Sequence, residues 1–261
     1  FGSPEIFTLG ALALAIIFNA VSYFFCDKIV ISMTRAKIVN EAQQPTLHRI
    51  VSSLALSAGL PKPKVAVVES PVPNAFATGR GPSNSVVAVT SGLMNAISED
   101  ELEGVLSHEI SHIKHRDVLV STVVATIAGA ISYLALVGRF GAYSSGSRNS
   151  NAAGVALILS FLAPLAAFLV QTAVSRGREF GADSEGAALS KKPLSLASAL
   201  VKIERVARSG AQIRTNPSTS PLWIVNPFRA DEVVALFSTH PPTAKRVERL
   251  REIAGKMGSL K

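Results

Sequence analysis

Three stretches of this chain carry no charged side chain for the length that a lipid bilayer demands. They are Ile6 to Cys26, Val118 to Gly138, and Asn149 to Ser175, whose apolar heart from Ala152 to Val174 contains Pro164. A helix needs about 20 residues to cross a ~30 Å hydrocarbon layer, and buried helices of globular domains are usually shorter. The three segments therefore predict a polytopic membrane protein, with Gly and Pro tolerated inside the spans because neighbouring helices re-satisfy the backbone. Composition agrees: only 17% of the residues are charged and 48% are hydrophobic, which excludes a disordered chain. The single cysteine, Cys26, excludes an intramolecular disulfide framework.

The cations set the expected orientation. Of 26 Lys and Arg residues none precedes Lys28, and only Arg139 and Arg148 fall in the short loop 139–153. The positive-inside tendency puts the amino end and that loop outside and everything else in the cytoplasm. The net charge of +8 then reads as topology and attraction to anionic headgroups. No basic patch interleaved with aromatics points to nucleic acid as a partner. The expected organisation is a transmembrane helix over 1–31, the two halves of a cytoplasmic catalytic domain over 32–117 and 175–261, and a transmembrane hairpin over 118–174.

Within the polar halves, Pro45 to Gly59 has helical spacing, and Pro61 and Pro63 end it. The β-branched runs 64–70 and 85–90 read as strands, and 74–79 between them as an edge segment. Ser98 and Glu101 form a capping box, and acids at 99, 100 and 101 suit the positive end of a helix that starts near Glu99. Further helices are expected over 175–190, 194–208 and 243–257, with a Pro/Asn/Ser-rich loop over 209–230. Trp223 in that loop either anchors at the lipid interface or covers the cleft. The expected fold is mainly α with a small β-sheet.

The chemistry begins at His108, Glu109 and His112, an HExxH pattern on the helix that starts near Glu99. At i and i+4 the two imidazoles leave one face roughly 5–6 Å apart at Cβ and can share one ion. Glu109, rotated by about 100°, stands beside the ion as a base. A hydrolytic zinc site needs a third protein ligand and an open fourth position. The hairpin returns the chain to the same face, so His112, six residues before Val118, and Glu179, five after Val174, lie at matching depths of about 7–9 Å above the membrane boundary. Glu179 is the expected third ligand. Asp183, one turn on, is placed to accept the other ring N–H of a ligand histidine.

Other residues carry weaker signals. His240, before the helix that starts in PPTAKR, reads either as an oxyanion donor or as a helix-entry residue, and Arg246 is a weaker candidate for the donor role. His115 reads as interfacial and His48 as a solvated helix residue. Two other functional readings stay open: a non-catalytic module in which zinc staples the helices, closed by a fourth ligand such as His240, and an intramembrane-cleaving protease, against which the charged stretch Glu99 to Asp117 argues.

ELEGVLSHEISHIKHRD, a hydrophobic hairpin, SRGREFGAD and STHPPTAKRVERL, in that order, resemble the HtpX-type membrane zinc metallopeptidases, heat-shock quality-control proteases distantly similar to the CAAX prenyl proteases. The likeness runs from about residue 20 to 252. It implies a gluzincin-type catalytic domain at the cytoplasmic face of a prokaryotic inner membrane, with one Zn2+ per subunit on His108, His112 and Glu179 and Glu109 as base to a zinc-activated water. It also implies polypeptide substrates, misfolded membrane proteins among them, held in part by the edge pair Asn74 and Ala75 in PNAFATG. Family members usually carry another span upstream, and the start at Phe1 points to missing upstream sequence.

Overall fold

The computed structural model describes residues 19–124, 150–208 and 241–258, with isolated helical positions at 10, 13, 16, 17, 127, 128, 131 and 135. In chain order the elements are α1 (Cys26–Thr34), β1 (Lys37–Ile38), α2 (Pro45–Ala58), β2 (Lys64–Val68), β3 (Ala75–Gly81), β4 (Asn84–Thr90), α3 (Ser91–Ala96), α4 (Glu99–Lys114), α5 (Ser150–Ser190), α6 (Pro193–Arg208) and α7 (Thr243–Gly258). The architecture is mainly helical with one small mixed sheet.

The sheet runs β1-β2-β4-β3, with β2 and β4 parallel and the outer pairs antiparallel. Strand residues alternate between faces, and both faces are apolar here. Val65, Val67, Ala75, Val87 and Val89 join the main core, while Ala66, Val68, Phe76, Val86 and Ala88 form a second cluster capped by Val30 and Ile31 of α1. The segment expected as an edge is β3, the edge strand, running to Gly81 rather than 79.

Leu47, Ile50, Val51 and Leu54 of α2 pack on α4 through Leu102, Val105, Leu106 and Ile110, with α6 and α7 closing the cluster. His48 corrects the expectation of a solvated side chain. It is buried, and its Nε2 lies 3.0 Å from the Val39 carbonyl, because the strap after β1 crosses that face of α2.

The capping box forms as expected, the Ser98 N–H donating to Glu101 at 2.8 Å. Glu101 also accepts from Ser198 at 2.6 Å and Lys202 at 2.8 Å on α6, so a local helix signal doubles as a tertiary anchor. α5 is a single helix of 41 residues with Pro164 inside it, running without a break through 174 and 175. Its length is about 60 Å. No helix among the described residues is long and apolar enough to cross a membrane. The segments expected to span at 6–26 and 118–138 lie only partly within the described residues. In the third, side chains are described only at Ile158 and from Leu162 onward.

Burial opposes the charge on Glu101, but the hydrogen bonds from Lys202, Ser198 and Ser98 win and lower its pKa from 4.5 to about 2. A depressed carboxylate stabilises the fold above its unfolded pKa and loses that contribution as pH falls toward the folded value. Glu101→Gln should cost about 2 kcal/mol at pH 7. In denaturant titrations of both forms, the gap should narrow steadily from about pH 4.5 toward 2.

Candidate metal centre

α4 and α5 approach at backbone distance. A Cβ added to Gly186 of α5 would lie 2.9 Å from the His108 N and 3.1 Å from its Cα. Gly186 therefore admits α4, and the residues one and two turns before it, Asp183 and Glu179, arrive on the same stripe beside the HExxH face. On α4, Gly104 does the same for α6, where a Cβ would meet the Leu196 backbone N at 2.8 Å.

The result is a compact donor triangle. His108 Nε2 and His112 Nε2 are 3.1 Å apart, and the Glu179 carboxylate oxygens lie 3.6 Å from the first and 3.5 Å from the second. Among the described residues these three form the one cluster with metal-ligand spacing, one donor atom from each lying within 4.8 Å of the others. Bond lengths of about 2.0–2.1 Å in a tetrahedron require donor separations of about 3.3 Å, so two imidazole nitrogens and a carboxylate oxygen suit zinc and leave one corner open.

Charge points the same way. Glu109, Glu179 and Asp183 are buried, and Arg246 is the only buried cation among the described residues. Burial raises the Glu109 pKa against the opposing pull of the two histidines, and its carboxylate accepts the Ala77 N–H of β3. Burial also disfavours an ionised Asp183, but Arg246 and His108 outweigh it and hold the carboxyl down at about 2. For His108, burial and Arg246 oppose a proton, yet Asp183 and Glu179 prevail and raise it to about 9. Acids that favour a proton on the imidazole equally favour a cation in its place.

Asp183 sits where the sequence reading puts it, with Oδ1 3.0 Å from His108 Nδ1. Arg246 is buried and bidentate on Asp183 at 2.7 and 2.8 Å, because it lies on the same face of α7 as Val247 and Leu250, and its guanidinium also stands 3.3 Å from His108 Nε2 and 3.5 Å from a Glu179 carboxylate oxygen. An arginine on an apolar helix face was the signal for that pairing. His115 is exposed at the α4 C-cap.

Asn74 and Ala75 are 4% and 1% exposed, and the Asn74 N–H and carbonyl are taken by Thr90. The stretch of β3 beside His112 is Ala77 to Gly81, which walls a cleft opposite Arg116 to Leu119, with Thr78 and Gly79 buried and only Arg80 exposed. Spacing gave no hint of this, since it depends on the strand's path past α4. His240, Trp223 and loop 209–230 lie outside the described residues.

An HExxH helix and a downstream glutamate, joined on a helical scaffold with an edge strand alongside, define a metallopeptidase. The chain belongs to peptidase family M48, whose sequence model matches residues 41–254. It is similar to proteins described as Protease HtpX homologs. That of Pyrococcus abyssi is 54% identical over 95% of this chain and 87% of its own length. That of Methanocaldococcus jannaschii is 49% identical over 97% and 91%. Among solved structures, S. mikatae Ste24p shares the fold at a TM-score of 0.63 and 18% identity, the match covering 94% of this chain and 58% of that one.

Gly186→Ala should force α4 and α5 apart, costing about 1–3 kcal/mol and lowering both the melting temperature and bound zinc. Gly181→Ala, with nothing within 4 Å of its Cβ, should leave both unchanged in parallel melting and metal analyses.

Proposed function

We propose that the chain is a membrane-embedded zinc endopeptidase that hydrolyses unfolded segments of membrane proteins at the cytoplasmic face. The observation that carries this reading is the donor cluster, with the two imidazole Nε2 atoms 3.1 Å apart, Glu179 Oε1 3.5 Å from His112 and Oε2 3.6 Å from His108, and the buried Glu109 on the same helix. A zinc ion held by His108, His112 and Glu179 would polarise the scissile carbonyl and acidify water toward a pKa of ~7.

The protein's own groups supply the rest. Glu109 takes a proton from the attacking water and returns it to the leaving amine. Burial raises its pKa above the ordinary carboxylate value, which favours return of the proton. An extended peptide lies in the cleft along Ala77 to Gly81, where a strand edge pairs main chain with main chain and so selects unfolded segments.

Membrane placement is supported by the apolar side chains that the fold leaves uncovered. Ile158, Leu162, Leu165, Phe168, Leu169 and Val170 are exposed on α5, and Val123, Ile127 and Ile131 repeat every four residues on the helix leaving the site. Rows of this kind mark a surface facing lipid or a partner, and the cation distribution favours lipid with the site on the cytoplasmic side.

Glu109→Gln should lower cleavage of an unfolded membrane substrate by about 100-fold or more while zinc content stays at that of the wild type. Glu179→Ala should lose the metal itself. Retained proteolysis in the first variant would refute the assigned base, and full zinc occupancy in the second would remove Glu179 from the ligand set.

A further inference from the structure

His112 carries a hydrogen bond that the motif does not predict. Its Nδ1 lies 2.5 Å from Asp117 Oδ2, and Asp117 is 8% exposed. On an uninterrupted helix a residue five positions on would point about 140° away from His112. The chain prevents this: α4 stops at Lys114, Arg116 takes the left-handed conformation at φ 55°, and a new helical segment starts at Asp117. The kink swings the Asp117 carboxylate back under the ring.

The other oxygen, Asp117 Oδ1, faces the Nε of Arg178 on α5 at 3.7 Å. Each imidazole of the donor triangle therefore has a carboxylate on its Nδ1 with a guanidinium behind it, Asp183 with Arg246 for His108 and Asp117 with Arg178 for His112. Asp117 begins the segment leaving the site, and Arg178 lies one residue from Glu179 on the helix that returns to it.

We propose that Asp117 is a positioning residue for metal binding: it holds His112 in the tautomer that presents Nε2 to the ion and, through Arg178, locks the outgoing chain to the returning α5. The carboxylate fixes the ring plane and raises its basicity toward a cation. The Arg178 contact keeps the carboxylate from rotating into the cleft it borders. The metal's grip then depends on the two limbs keeping their spacing. This inference rests on His112 being a ligand.

The test is Zn2+ affinity of the full chain in detergent micelles, by competition with a chromophoric chelator. Melting of the metal-free protein and the visible spectrum of the Co2+ form are recorded alongside. Asp117→Ala should bind zinc about 10- to 100-fold more weakly and shift the Co2+ bands, with metal-free melting lowered by a few degrees at most. Asp117→Asn, which keeps an acceptor for Nδ1–H without the charge, should fall between it and the wild type, and Arg178→Gln should show a smaller loss. Wild-type affinity in Asp117→Ala overturns the assignment, as does a loss confined to metal-free melting. A wild-type chain that takes up no zinc overturns the ligand reading, and this one with it.

Discussion

The donor triangle exists because two helices touch at backbone distance. With a side chain at position 186, α5 would stand off from α4, and Glu179 would retreat from imidazoles whose nitrogens are only 3.1 Å apart. Interiors are packed too tightly to absorb such a change locally. The contact also sets the depth of Asp183 and, through it, the seat of Arg246. One small residue thus governs the position of a ligand, a supporting acid and the cation behind it.

Around that contact the chain gathers ionisable groups that are costly to bury. Glu109, Glu179 and Asp183 lie out of water with the His108 imidazole and the Arg246 guanidinium, beside a half-buried His112. Such a cluster persists where partners satisfy it, and an excess of buried negative charge is relieved by a cation. Arg246 meets this for Asp183, where it makes two short hydrogen bonds. Its guanidinium also stands 3.5 Å from Glu179 and 3.3 Å from His108 Nε2, beside a His108, His112 and Glu179 cluster whose spacing suits a metal. Electrostatics and donor geometry therefore select the same point in space.

Much of this was legible along the chain because the signals are local or periodic. The HExxH pair depends only on helical rise, the capping box on a three-residue interval, and the strands on alternating β-branched residues. Glu179 was reached through a longer argument from an expected hairpin that returns the chain to one face, and the structure brings Glu179 to the imidazoles on the single helix α5. Arg246 was read only as a weaker donor candidate: its place on an apolar helix face could have marked it as buried, but nothing in its neighbours named Asp183 as partner. His48 misled because the strap that covers it comes from a different part of the chain.

Asp117 and the substrate edge show where such reading ends. A helical projection sends Asp117 to the wrong side, since it assumes a continuous helix, and a single left-handed residue at Arg116 reverses the geometry. The cleft beside His112 is likewise walled by residues 77–81 of the edge strand and not by 74–75, because the strand's path past α4 decides which of its residues border the site. By itself the sequence determined the chemistry of the ligands and the charge-free runs, properties carried by residue type and spacing. The tertiary structure alone decided which carboxylate serves which imidazole, because hydrogen bonds of about 3 Å depend on helix endings and inter-helix distance, quantities that no linear interval contains.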